Sequence, residues 1–239
     1  MLNIKATEFL IKCISFIIAY AWIVTIPNVV QAWVAYWAGD DTARRFEFTS
    51  FNPINHIDFF GFIMLIVSCG YGSPLGWGRS VYIDPFNIKS RLRLFLVSFA
   101  DVMTHIFSAL LLLVLLELIF GLPVVGLFYT MIVERVVSHR VLADLFPAVN
   151  SLSIVFGFII LVAIYLHLLL GILYAILNGR DFYLVCKASD PMDYAINRIK
   201  PSNLFIPLIL LFLFAEPLRV LVVNCITYVG LFIGLFLGL

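Results

Sequence analysis

Four runs of the chain, residues 9–37, 92–121, 151–177 and 203–239, are each apolar over the ~20 or more residues that a helix needs to cross a bilayer. Helix is the form such runs take, because only there are all backbone N–H and C=O groups satisfied without water. The 239 residues are 63% hydrophobic and 12% charged, with a mean hydropathy of +1.09, too little polar surface to cover a soluble globule. The expected class is therefore an all-α integral membrane protein, one polytopic domain over residues 1–239. The run 203–239 exceeds one simple span, and Glu216-Pro217 places a charge and a helix breaker inside it. A shorter run, 58–71, suits a tilted or re-entrant element. About five transmembrane helices follow, within bounds of four and six, joined by short re-entrant or β-like loops. The apolar pattern continues through Ala19-Tyr20-Ala21, so the N-terminal run reads as a span and not as a cleaved leader.

Between the runs, Val133, Val136, Val137, Val141 and Leu145 recur at helical spacing opposite Glu134, Arg135, Ser138 and His139, the pattern of a helix along the membrane surface. Residues 38–57, 73–91 and 178–202 read as loops. With five alternating spans, Lys5, Arg79, Lys89, Arg91, Arg180, Lys187, Arg198 and Lys200 share one side, which the positive-inside rule makes cytoplasmic. A net charge of +1 with no basic stripe excludes a nucleic-acid partner. Cys13, Cys69, Cys186 and Cys225 show no metal or disulfide spacing.

One segment is specific beyond hydropathy. Ala32, Trp33, Val34, Ala35 and Tyr36 run into Gly39, Asp40, Thr42 and Ala43. Asn52, Pro53, His56, Ile57, Asp58 and Gly61 follow, and then Gly76, Trp77, Val81, Pro85 and Asn87. In order and spacing these blocks resemble the site-2 protease family of intramembrane zinc metalloproteases, with the match concentrated in residues 27–90. In that family the first block is preceded by His-Glu-x-x-His, whose two His bind zinc from one helix face while the Glu activates the bound water. Here the corresponding positions hold Pro27, Asn28 and Gln31. A carboxamide is a poor zinc ligand, Asn28 cannot accept a proton as a carboxylate does, and Pro27 removes a backbone donor. The family's Ala-Gly-Pro-x-x-Asn segment corresponds to Ala100 through His105, with only Ala100 matching. Its Leu-Asp-Gly segment corresponds to Leu177-Asn178-Gly179, and Asp181 stands out of register. The resemblance thus implies a family scaffold whose vestigial site positions are Pro27, Asn28, Gln31 and His105.

Other residues invite a site. Asp101 and His105, four apart on an apolar helix, share a face, and His167 sits within another apolar run. They are the one set available for a rebuilt metal site; the simpler reading, which is the expected one, is that Asp101 and His105 hydrogen-bond each other and a neighbouring helix satisfies His167. Asn28 and Gln31, one turn apart, read as interhelical hydrogen-bonding groups. Gly230, Gly234 and Gly238 form a small-residue ladder suited to helix packing.

The expected function is that of a catalytically inactive homologue without cofactor, which binds other membrane proteins in the bilayer as a regulator or as a subunit or oligomer. The resemblance to bacterial members places it in the inner membrane. One alternative is an active zinc metalloprotease using Asp101, His105 and His167. A second is a small transporter or channel component, prompted by Asp101, Glu117 and Glu216.

Overall fold

A computed structural model describes residues 4–71, 74–120, 151–198 and 215–237. Among these the chain is helical, without strands. The elements are α1 (Ile4–Ala38), α2 (Thr42–Arg45), α3 (Phe59–Tyr71), α4 (Arg91–Phe120), α5 (Ser151–Leu177), α6 (Gly179–Lys187), α7 (Pro191–Arg198) and α8 (Ala215–Leu237). Three of these helices are long and apolar enough to cross a membrane: Phe9–Ala38 within α1, α4, and Leu152–Leu177 within α5. Two shorter apolar helices, Phe59–Ser68 and Val220–Phe236, lie within α3 and α8. The surface helix expected around Val133–Leu145 lies outside the described residues, as does the start of the run expected from residue 203. Pro217 occupies the first turn of α8 as described, where a missing N–H costs no helical hydrogen bond.

Helix α5 is central: 78% of its apolar stretch is buried, against 39% for α1 and 33% for α4. Phe16, Tyr20 and Ile23 of α1 and Leu113 and Leu116 of α4 close on Ile154, Phe158, Leu161 and Leu169 of α5. Val222 and Ile226 of α8 join the same core. Gly230 and Gly234 continue that face and are buried. Gly238 lies outside the described residues. At the other end of α1, Ala35 and Ala38 pack with Leu94 and Val97 of α4, Val185 of α6, Ala188 just after α6, and Tyr194 of α7. The C-terminus of α1 therefore meets the N-terminus of α4, and the two helices run antiparallel.

Residues 178–198, expected as a loop, hold α6 and α7 instead. The signal is in the sequence: Asp190 precedes Pro191 and Asp193. Asp190 Oδ1 accepts the Asp193 amide at 2.9 Å while Asp193 Oδ2 accepts the Ser189 amide at 3.0 Å, an N-terminal cap with Pro at the first helical position.

The segment between α1 and α4 departs furthest from a simple loop. Helix α1 ends in a Schellman turn, with Gly39 at φ 111°, its amide on Tyr36 O at 3.1 Å and the Asp40 amide on Ala35 O at 3.0 Å. The chain then folds back along α1 until Ile57 forms an antiparallel bridge with Gly78. At 13 residues, α3 is about 20 Å long, short of the ~30 Å hydrocarbon core, and its two flanks meet. Residues 38–57 and 74–91 therefore share one end of the bundle, and the alternation that set these two loops on opposite sides does not hold. The irregular backbone beside α1 is served by protein donors and acceptors. Tyr20 Oη donates to Trp77 O at 2.7 Å, the Arg79 amide to His56 O at 2.8 Å, and the Leu75 amide to Ser68 Oγ at 2.9 Å.

Candidate functional site

The matched blocks converge in space, and Asp40 joins them. Its side chain is fully buried; Oδ1 accepts the Thr42 amide at 3.0 Å, Thr42 Oγ1 at 2.6 Å and Asn87 Nδ2 at 3.0 Å, and Oδ2 accepts the Asp84 amide at 2.7 Å. One carboxylate thus ties the end of α1 to the start of α2 and to the Pro85–Asn87 turn. Asp58 caps α3 through the Gly61 amide at 2.8 Å, and Asn52 caps the Pro53–Asn55 turn through the Ile54 amide at 3.2 Å. Sequence reasoning singled out Asp40 and Asn87 through the resemblance. It gave no role to Asp84 or Tyr20, whose contacts run through backbone atoms that no spacing pattern reveals.

His56 is fully buried among these blocks, with Nε2 2.7 Å from Ser50 O and its ring edge-on to Phe48. Nε2–H donates, which leaves Nδ1 as a buried lone pair without a partner among the described residues. Burial lowers the imidazole's proton affinity, the Ser50 carbonyl opposes that, and the Arg79 charge lowers it further. A folded-state pKa below the unfolded value of about 6.5 means that the unfolded chain takes up a proton the folded chain refuses. The stabilisation is present above that pH and declines as the pH falls through it. The melting temperature is expected to fall between about pH 7 and 5.5, and the fall to shrink in His56→Gln. An unchanged pH profile in the variant would remove His56 as its source.

At the positions where the resemblance places zinc chemistry, α1 runs unbroken through Pro27. Asn28 is buried and donates its Nδ2 to Arg79 O at 2.8 Å. Gln31 donates its Nε2 to Val97 O at 3.2 Å. The first bond fastens the 76–88 segment to α1 and the second fastens α1 to α4, so both amides act as ties at this centre. Asn178, at the family's Leu-Asp-Gly position, stands before the first residue of α6, and its amide donates to Tyr174 O at 2.8 Å.

The structure brings His167 of α5 against the Asp101–His105 pair of α4, which spacing alone could not establish. His105 Nδ1 lies 2.9 Å from His167 Nδ1, and His105 Nε2 lies 3.6 Å from Asp101 Oδ1. The Tyr174 ring stands over His105 at 5.5 Å, and Gly171 makes room for the His105 Cβ. An Nδ1 to Nδ1 hydrogen bond requires one protonated and one bare nitrogen, so the two rings hold opposite tautomers at these atoms. His105 directs one nitrogen to each neighbour. Among the described residues, His167 Nε2 and Asp101 Oδ1 are buried without hydrogen-bond partners. Among the described residues no group of three or more His, Cys, Asp or Glu is arranged to hold a metal ion. The reason is geometric: with Nδ1 turned to His167 and Nε2 turned to Asp101, His105 spreads its neighbours to opposite sides of its ring. Glu117 is buried with both carboxylate oxygens unpartnered among the described residues, but stands about 24 Å along α4 from Asp101, so the two do not form one site. The Glu216 side chain is outside the description.

No protein-family model and no solved structure matches the chain. Over 109 residues it is 34% identical to a Bacillus subtilis (strain 168) protein described as "Putative zinc metalloprotease YwhC", a match covering 44% of this chain and 48% of that protein. The matched region spans about half the length of the curated relative. The identity supports a metalloprotease-like relationship, and the apolar helices support a membrane protein.

Proposed function

We propose that this chain is a degenerate site-2 protease homologue, without peptidase activity, that works in the membrane by binding other membrane proteins as a regulator or complex subunit. The observation that carries the reading is the commitment of Asn28 and Gln31. At the positions of a zinc ligand and a general base, their amide groups donate to the carbonyls of Arg79 and Val97. Zinc needs electron-pair donors, and hydrolysis needs a base near the metal-bound water. Neither requirement is met by an amide N–H2 that is donating a hydrogen bond.

A second reading, a metalloenzyme rebuilt on Asp101, His105 and His167, is favoured by the contact between the two histidines. Elemental analysis separates the two. The detergent-purified protein, incubated with excess zinc chloride and then gel-filtered, is expected to retain near-zero zinc. Stoichiometric zinc that disappears in His105→Ala or His167→Ala would overturn the inactive reading and establish the rebuilt site.

A further inference from the structure

Along the side of the bundle, α1 and α4 leave an open cleft of about 500 Å³. Its walls are Val30, Val34 and Trp37 of α1 facing Leu96, Phe99 and Met103 of α4. Arg93 is the single charged side chain among the described lining residues and stands at the end where Ala38 meets Leu94. Phe107 lines the opposite end. From Arg93 to Phe107 the cleft follows about 20 Å of helix, somewhat more than the ~15 Å depth of one bilayer leaflet.

We propose that this cleft binds an anionic phospholipid, with the phosphate at Arg93 and an acyl chain laid between α1 and α4. This rests on the cleft alone and holds whether or not the protein is a protease.

Three observations select that occupant. First, Arg93 is uncommitted and, unlike the exposed Lys89 nearby, it lines the cleft, while the other arginines at this end are engaged. Arg91 donates to Val185 O and Cys186 O, Arg44 stacks over Tyr36, Arg45 pairs with Asp41, and Arg79 donates to Asn55 O. Arg93 is exposed and has no hydrogen bond, ion pair or ring contact among the described residues. Second, the level of Arg93 is an aromatic one. The Trp33 ring contacts Tyr36 at 5.8 Å and Trp37 at 6.2 Å, and Trp37 is 71% exposed, as residues are at the headgroup boundary. Third, the charge distribution of the cleft is that of one amphiphile, with a cation at the aromatic end and apolar walls beyond it. The guanidinium presents paired donors suited to phosphate oxygens. A partner's transmembrane helix, about 10 Å across and apolar along its length, would leave Arg93 without a counterpart.

The test is a lipid titration of the purified protein by native mass spectrometry, comparing phosphatidylglycerol with phosphatidylcholine of the same chains. Wild type is expected to prefer phosphatidylglycerol by about tenfold, the scale of one charge-assisted contact. Arg93→Gln should bring the ratio near one, whereas Arg45→Gln, which alters charge at the same end outside the cleft, should leave it unchanged. Met103→Trp, which fills the cleft, should weaken both lipids. Soluble glycerol phosphate, lacking an acyl chain, should not compete. No preference in wild type, equal loss in Arg45→Gln, undiminished binding in Met103→Trp or competition by glycerol phosphate would each overturn the proposal.

Discussion

Asp40→Ala is expected to lower stability by about 3 kcal/mol, enough to take a large part of the folded population of a marginally stable protein. The residue is buried and its two oxygens serve four donors from three places in the chain. Removing them strands the half-buried amides of Thr42 and Asp84, while the exposed Asn87 side chain can turn to water, and a stranded buried donor costs about 1 to 3 kcal/mol unless water reaches it. Water entering from the nearby surface limits the sum. Asp40→Asn keeps one acceptor oxygen but turns an N–H2 towards existing donors, so it should lose more than half as much. The measurement is thermal unfolding of the detergent-solubilised protein at one lipid and detergent concentration. Equal melting of wild type and both variants would mean that Asp40 is not the joint between α1 and the Pro85–Asn87 turn. The functional consequence is that the blocks resembling a protease preserve architecture: Asp40, Asn87, Asn52 and Asp58 act on backbone turns and caps.

That division explains what was legible in the sequence. The long apolar helices were readable because twenty apolar residues in a row have few other physical outcomes. The short helices α6 and α7 were readable in principle from Asp190-Pro191-x-Asp193, but the polar composition of residues 178–202 outweighed the cap signal. The return of the chain between Ile57 and Gly78 was not readable from hydropathy, since a 13-residue apolar helix is compatible with a tilted span or a re-entrant turn. Its outcome is decided by Tyr20 and Arg79, which bind backbone atoms remote in sequence, and by Ser68, which holds the Leu75 backbone across the turn. The candidate centre divides in the same way. That Pro27, Asn28 and Gln31 differ in chemistry from the His and Glu of the resembled motif is legible in the sequence, whereas the carbonyls served by the Asn28 and Gln31 amides required three-dimensional placement. The meeting of His105 with His167 likewise depends on the packing of α4 on α5, for which periodicity supplies faces but no register.

Gly61→Ala is expected to cost about 3 kcal/mol, at the upper end for an overpacked site. A Cβ on Gly61 would lie 2.0 Å from Trp77 O and 2.9 Å from both Trp77 N and Trp77 C, so the obstacle is backbone and not the end of a flexible side chain. Trp77 has little freedom to retreat. Its carbonyl accepts the Tyr20 hydroxyl at 2.7 Å, Gly76 beside it lies close to Gly61 O, and Gly78 beyond it rests on Val24 of α1. Relief would have to move the 76–78 segment away from α1, which also strains the Asn28 bond to Arg79 O. Gly179→Ala is the matched control, because a Cβ there meets nothing within 4 Å at the start of α6. It should be neutral or stabilising by up to about 1 kcal/mol, as the alanine loses less backbone freedom on folding. The two variants are compared by membrane yield and by melting in detergent. If Gly61→Ala accumulated and melted like Gly179→Ala, the 76–78 segment could not be seated against α3 as described. The tie between Asn28 and Arg79, on which the inactive reading depends, would lose its structural support with it.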